Sequence, residues 1–234
     1  MKTSAWIRLL AGLLLLFPIT GIEAQNVDSQ NARRFFDITI GMGVGAHSAP
    51  SIVDYINALV QPRVEQRLDE FTSVVEFFLV PELQMAEEWS GGIEYSLLLK
   101  SYSVDDRSGY LRSDISYQVH MPTVLVQYLI FGEGYRLKVG GGVGYHLARF
   151  NQSFPAYGSE ETFRAEGLGV KLSAVGNTKF DETFYGSIGV DLRWDFLGSL
   201  KRGDGSEVTD RIAGTVPKMN FFTIGLKFGV MFQL

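Results

Sequence analysis

The sequence predicts an all-β protein: an eight-stranded antiparallel up-and-down transmembrane β-barrel with a short helical insertion in its first long loop. Three observations predict it. An apolar–polar alternation of period two recurs through eight segments, and the connections between them alternate between short and long. Beyond its N-terminus the chain has no uninterrupted apolar stretch of helix-spanning length. In lipid every backbone N–H and C=O must be paired within the protein, so such a chain spans a membrane only as a closed barrel.

The N-terminal residues read as an export signal. Lys2 and Arg8 form a positive start, Leu9 to Phe17 an apolar run, and Ile22-Glu23-Ala24 a cleavage site. The apolar run is shorter than the roughly 20 residues of a membrane helix. Residues 1–24 are therefore expected to be removed, leaving Gln25 as the new N-terminus and 25–34 as an N-terminal periplasmic segment before a barrel domain over 35–234. The 234-residue chain has no cysteine, which excludes disulfides, thiolate metal sites and a lipid anchor on sulfur. Its net charge of −5, with no basic run, lacks the electrostatic footprint of a nucleic-acid binder.

The strands follow in order. In the first, Phe36, Ile38, Ile40, Met42 and Val44 alternate with Asp37, Thr39 and three glycines. Weaker alternations run through Val75 to Met85, Ile93 to Leu99 and Ile115 to Tyr128, the last with a parity slip that predicts a bulge at Pro122. Tyr135 to Leu147 alternates again, with Arg136, Lys138, Gly140, Gly142, Gly144 and His146 on the polar parity. Leu168 to Ala174 and Phe184 to Trp194 follow. The last strand is the clearest: Phe222, Ile224, Leu226, Phe228, Val230, Phe232 and Leu234 share one parity. Short turns are expected at Glu87–Ser90, Phe131–Gly134 and Gly176–Asp181. Long loops are expected at His47–Phe71, Ala148–Thr162 and Gly198–Lys218, with Val104–Gly109 a short exception on the same side.

A soluble lipocalin-like barrel inverts the faces, with an apolar interior and a polar exterior. The glycine-rich polar parity instead suits the narrow lumen of eight strands. Tyr95, Tyr117, Tyr128, Tyr135, Tyr145, Phe184 and Trp194 on the apolar parity suit aromatic girdles at two membrane interfaces.

An exported chain with eight alternating strands, glycine-rich segments such as Gly140-Gly-Gly-Val-Gly-Tyr145, and an alternating last strand resembles the outer-membrane β-barrel domain superfamily. That group holds the OmpA membrane domain and the OmpX- and OmpW-like proteins. The resemblance covers residues 35–234 and implies a bacterial outer-membrane location. It also implies contact with outer-membrane lipid and lipopolysaccharide, and passage through the barrel-assembly machinery. Members usually end in Phe; this chain ends in Leu234, with Phe232 two residues before.

Chemistry-bearing constellations are few. Gly41-Met-Gly-Val-Gly-Ala46 matches a dinucleotide fingerprint, yet Pro50 and Ser51 start any helix several residues too late to sit on a pyrophosphate. His47, His120 and His146 have no metal-ligand spacing, although His47 and His146 both fall near the external rim. No nucleophile and base can be assembled, so the reading assigns no catalytic, cofactor or metal site; a lipid-modifying barrel enzyme remains an alternative. The coherent set is the inward-parity charges: Asp37, Glu76, Glu82, Glu94, Lys100, Arg112, Asp114, Arg136, Lys138, Lys171, Asp191, Arg193 and Lys227. Charges taken out of water must pair, so they predict a self-neutralising network that plugs the lumen. A narrow channel for small solutes is the alternative.

The first long loop departs from the barrel pattern. Ser51-Ile-Val-Asp54 reads as a capping box, and Ile52, Tyr55, Ile56 and Leu59 recur at helical spacing. Pro62 ends this helix or begins a second one, with Val64, Leu68 and Phe71 on one face. Helix is therefore expected within 51–70, serving as a rim support or as a lid. The expected function is that of a small structural or interaction barrel whose external partner the sequence does not identify.

Overall fold

A computed structural model describes residues 35–60, 71–105, 112–154, 158–209 and 214–234. The expected export signal, the 25–34 segment and the second helical turn after Pro62 lie outside the described residues. The elements are β1 (Phe36–Ser48), α1 (Pro50–Val60), β2 (Phe71–Ala86), β3 (Trp89–Asp105), β4 (Arg112–Gly132), β5 (Tyr135–Phe154), β6 (Ser159–Lys179), β7 (Phe184–Ser199) and β8 (Lys218–Gln233). Each strand pairs antiparallel with its sequence neighbour, and β1 closes on β8, for instance at Val44↔Leu226. The eight-stranded up-and-down barrel is thus closed, with no free sheet edge along the closing seam.

Alternation decides what each wall faces. Ile40, Val124, Val143, Leu168, Ile188 and Ile224 point outward and are exposed, whereas their polar neighbours point into the lumen. Aromatic side chains gather toward the ends of this outer belt. Trp89, Phe131 and Tyr135 lie at the turn side, and Tyr95, Tyr145 and Phe196 toward the loop side. Trp89 packs edge-on against Tyr128 at 5.4 Å, and Trp194 lies against Phe222 at 5.2 Å.

Three expectations are corrected. β4 has no bulge at Pro122: Tyr95↔Pro122 is in register, and the β4–β5 ladder keeps one register on both sides of it. That ladder merely omits Met121 and Pro122, as a residue without an N–H requires. Val119 and Met121 therefore point inward while Val124 and Val126 point outward, with no change of parity. Tyr117 does not join a girdle; it is buried inside, stacked on Phe150 at 6.3 Å. Phe71 opens β2 and is not part of a helix. One physical fact underlies the first two corrections: the external half of the lumen is apolar.

That apolar cork is built from Leu98, Ile115, Val119, Met121, Phe150, Phe163, Leu197 and Phe221, among others. The α1 helix caps it. Ile52 and Ile56, one helical turn apart, are fully buried in the same cluster. Polar bonds also tether the helix: Lys218 N donates to Ser51 Oγ at 2.9 Å, and Tyr55 OH donates to Gln152 Oε1 at 3.2 Å.

The β2–β3 ladder ends at Val75↔Leu99, although both strands continue outward. Side chains bridge the gap above it. Lys100 Nζ donates to Ser73 O at 2.7 Å, and the Tyr102 and Thr72 hydroxyls lie 3.2 Å apart.

Candidate functional site

The lumen below the cork holds two charge clusters. The one nearer the turns joins β1, β2 and β5. Arg136 Nη1 donates to Asp37 Oδ2 at 2.6 Å, and Lys138 Nζ reaches Glu82 Oε1 at 2.9 Å and Asp37 Oδ2 at 3.3 Å. The Arg136 guanidinium also lies 4.0 Å from the centre of the Phe35 ring.

The central cluster draws Glu76, Glu94, Lys171, Asp191, Arg193 and Lys227 from five strands. Arg193 grips Glu76 with both prongs of its guanidinium and meets Asp191 Oδ2 at 3.1 Å. Lys171 Nζ lies 2.5 Å from Glu94 Oε2 and 3.2 Å from Asp191 Oδ2. Lys227 Nζ lies within 3.3 Å of Glu76, Glu94 and Asp191 together. All six are nearly fully buried, and every carboxylate touches at least two cations. This sharing offsets the several kcal/mol that each ion gives up on leaving water. Gly225 makes room for it, because a methyl there would overlap the Asp191 carboxylate.

Between the clusters lies a chamber of about 40 Å³, walled partly by Thr39, Gln127, Ser173, Asn177 and Ser187. It holds no more than a few water molecules. Both amide atoms of buried Asn177, which lines the chamber, lack a hydrogen-bond partner within the protein, so hydration of the chamber would satisfy them.

Where polar lumen gives way to cork sits a third group. His146 Nδ1 is hydrogen-bonded to Asp195 Oδ1, and its Nε2 lies 3.1 Å from Thr123 Oγ1. Gly144 and Gly169 cradle the ring, since a side chain at either would overlap it. A hydroxyl, an imidazole and a carboxylate in this order share the connectivity of a hydrolytic triad. All three residues are buried between charge network and cork, and the contacts orient and hold the ring. Sequence reading singled out His146 but missed Thr123 and Asp195. Asp195 continues the inward parity of Asp191 and Arg193, and that signal was available.

The remaining sequence-predicted residues lie elsewhere. Lys100 shares the inward parity but sits half-exposed at the β2–β3 gap, its ammonium 4.6 Å from the Tyr102 ring centre. Asp114 is half-buried near the external end of β4 and accepts from Ser103 Oγ at 2.8 Å. Arg112 begins β4. Neither Lys100 nor Asp114 joins the lumen clusters: Lys100 stands above them at the gap, and Asp114 falls on the outward parity because β4 keeps one parity through Pro122, while the side chain of Arg112 lies outside the described residues. His47 lies against Thr223 Oγ1 and the Phe221 ring, and the outer-face His120 against Tyr95 OH at 2.6 Å. Among the described residues no three His, Cys, Asp or Glu side chains are grouped to hold a metal ion.

No protein-family model and no curated protein sequence matches the chain. Solved structures do. Neisserial surface protein A aligns over 85% of this chain and 97% of its own, at 8% identity and a TM-score of 0.51. A major outer-membrane protein from Thermus thermophilus aligns over 85% and 99%, at 11% identity and a TM-score of 0.49. The attachment invasion locus protein Ail of Yersinia pestis, solved with the heparin analogue sucrose octasulfate, aligns over 86% and 99%, at 11% identity and a TM-score of 0.47. The likeness is one of fold: the small closed barrel of outer-membrane proteins.

Proposed function

We propose that this chain resides in the bacterial outer membrane as a structural or interaction barrel, closed to solutes, whose external rim and loops are its working surface. The observation that carries this reading is that side chains of two different kinds meet across the lumen, ions at its centre and apolar groups toward its external end. The central ions neutralise one another by direct contact across the lumen, and the apolar cork with α1 fills the mouth above them. An eight-stranded barrel has an interior that side chains can fill, which supports a closed lumen here. The apolar outer belt supports the membrane location, because lipid is the solvent in which Ile40, Val143 and Leu168 are favourably exposed.

The test is electrical. The purified, folded protein in planar bilayers should show no steady conductance above background in simple salt. A reproducible open level would overturn the closed-lumen reading in favour of a narrow channel. Fractionation with outer membranes and a folded band of altered mobility before boiling are expected for the location. Recovery in the soluble periplasmic fraction would overturn that part.

A further inference from the structure

The register places three cations side by side on the outer wall. Arg149 of β5 is the direct cross-strand partner of Arg164 of β6, and Arg164 is bridged in turn to Lys201 of the last external loop. The second link is a reciprocal pair of backbone hydrogen bonds, each 2.8 Å long. All three side chains are exposed and share the outward parity. Direct partners on neighbouring strands have Cβ atoms roughly 4.5–5.5 Å apart, where like charges repel. Among the described residues none of the three side chains has an ion-pair or hydrogen-bond partner. Gln118 precedes the row on β4 and Glu207 follows it.

Height along the wall says what the row meets. Arg149 stands two residues beyond outward-facing Leu147, about 7 Å further out at strand rise. Tyr145, Leu168 and Phe196 of the apolar belt lie below it. The cations thus crown the aromatic edge of the belt, at the depth of lipid headgroups.

We propose that Arg149, Arg164 and Lys201 dock the phosphate groups of a phosphorylated glycolipid of the external leaflet, whose acyl chains run down the wall below. The assignment rests on the membrane location proposed above. Two guanidinium forks and an ammonium in a row present several donors to the oxygens of one or two phosphates, and a bound dianion turns their mutual repulsion into attraction. Continuity with the apolar belt selects a lipid over a soluble anion. Two carboxylates oppose the row: Glu166, opposite Leu147, and Glu207 at its end. Three cations against these two carboxylates leave the row net positive.

Native mass spectrometry of the folded full chain in dodecyl maltoside tests this with three probes. They are bis-phosphorylated lipid A, the same glycolipid without phosphates, and inorganic pyrophosphate. Wild type should retain the phosphorylated lipid about tenfold better than its dephosphorylated form, as expected for a few charge-assisted contacts at a hydrated surface. The Arg149→Gln/Arg164→Gln variant should lose that preference while binding the dephosphorylated lipid as before. Glu166→Gln should strengthen the preference. Equal retention of both lipids by wild type, or an undiminished preference in the double variant, would overturn the proposal. Pyrophosphate displacing the lipid at equal concentration would overturn the choice of a lipid. A chain that stays folded and monodisperse without detergent would overturn the membrane location itself, which is a separate failure.

Discussion

Glu76 on β2 and Arg193 on β7 clasp each other across the lumen, Nη1 to Oε2 at 3.1 Å and Nη2 to Oε1 at 3.0 Å. No ladder joins their strands, so this pair braces opposite walls. Replacing Arg193 with Met should destabilise the barrel by about 3–5 kcal/mol, because Glu76 and Asp191 then stay buried and under-neutralised. Adding Glu76→Leu should restore much of the loss, since Glu94 and Asp191 still balance Lys171 and Lys227. Urea titration of barrels in vesicles measures both. A single variant as stable as wild type would mean that water, not protein, solvates these ions.

The packing of Gly169 on His146 makes a second test. Gly169→Ala puts a methyl into the ring and should cost about 1–3 kcal/mol by overpacking. In a His146→Ala background the same substitution should cost less, the remainder coming from the approach of the methyl to Asp195 Oδ1, and the difference between the backgrounds is the coupling of the two positions. Equal costs in both would place the ring elsewhere.

Truncation of the cork isolates the helix. Ile56→Ala removes a fully buried side chain and should weaken docking of α1 by about 2–5 kcal/mol. Faster amide exchange confined to residues 52–60 is the expected reading. On the closed-lumen proposal conductance should stay at background, because the contacts among the central ions are untouched. A channel opened by this one change would make α1 the sole gate.

Two tryptophans report on the outer wall. Trp89 is outward near the β2–β3 turn, and Trp194 is half-buried on the wall beside Phe222. In vesicles of brominated lipid both should be quenched, more strongly by bromines near the headgroup than near the bilayer centre. Emission that is unquenched and typical of water would remove lipid from contact with the belt.

The sequence carried the architecture well because a strand with two unlike faces writes its period into the residues. The alternation of β8 and of Tyr135 to Leu147 was legible for that reason, as were the ten charges of the two clusters. What it did not carry was the sign of each face along the whole height. Tyr117, Val119 and Met121 are apolar and inward, so equating apolar with outward forced a bulge at Pro122 that β4 does not contain. The partners were hidden too. Asp191 meets Lys171 and Lys227 on the strands to either side, but the Glu76–Arg193 pair and the reach of Lys138 to Asp37 depend on how far each strand is staggered around the barrel. Alternation within one strand holds no record of that stagger. The row of Arg149, Arg164 and Lys201 escaped notice likewise, being defined by register between strands.

The two buried clusters are each balanced: Asp37 and Glu82 against Arg136 and Lys138, and Glu76, Glu94 and Asp191 against Lys171, Arg193 and Lys227. An electric field across a membrane does work only on charge that it can displace, about 2.3 kcal/mol per elementary charge for each 100 mV. Ionised groups that move together with their counterparts carry no net charge through the field. The two ion clusters are therefore electrically mute, and a change of membrane voltage exerts no net force with which to expel or reseat them.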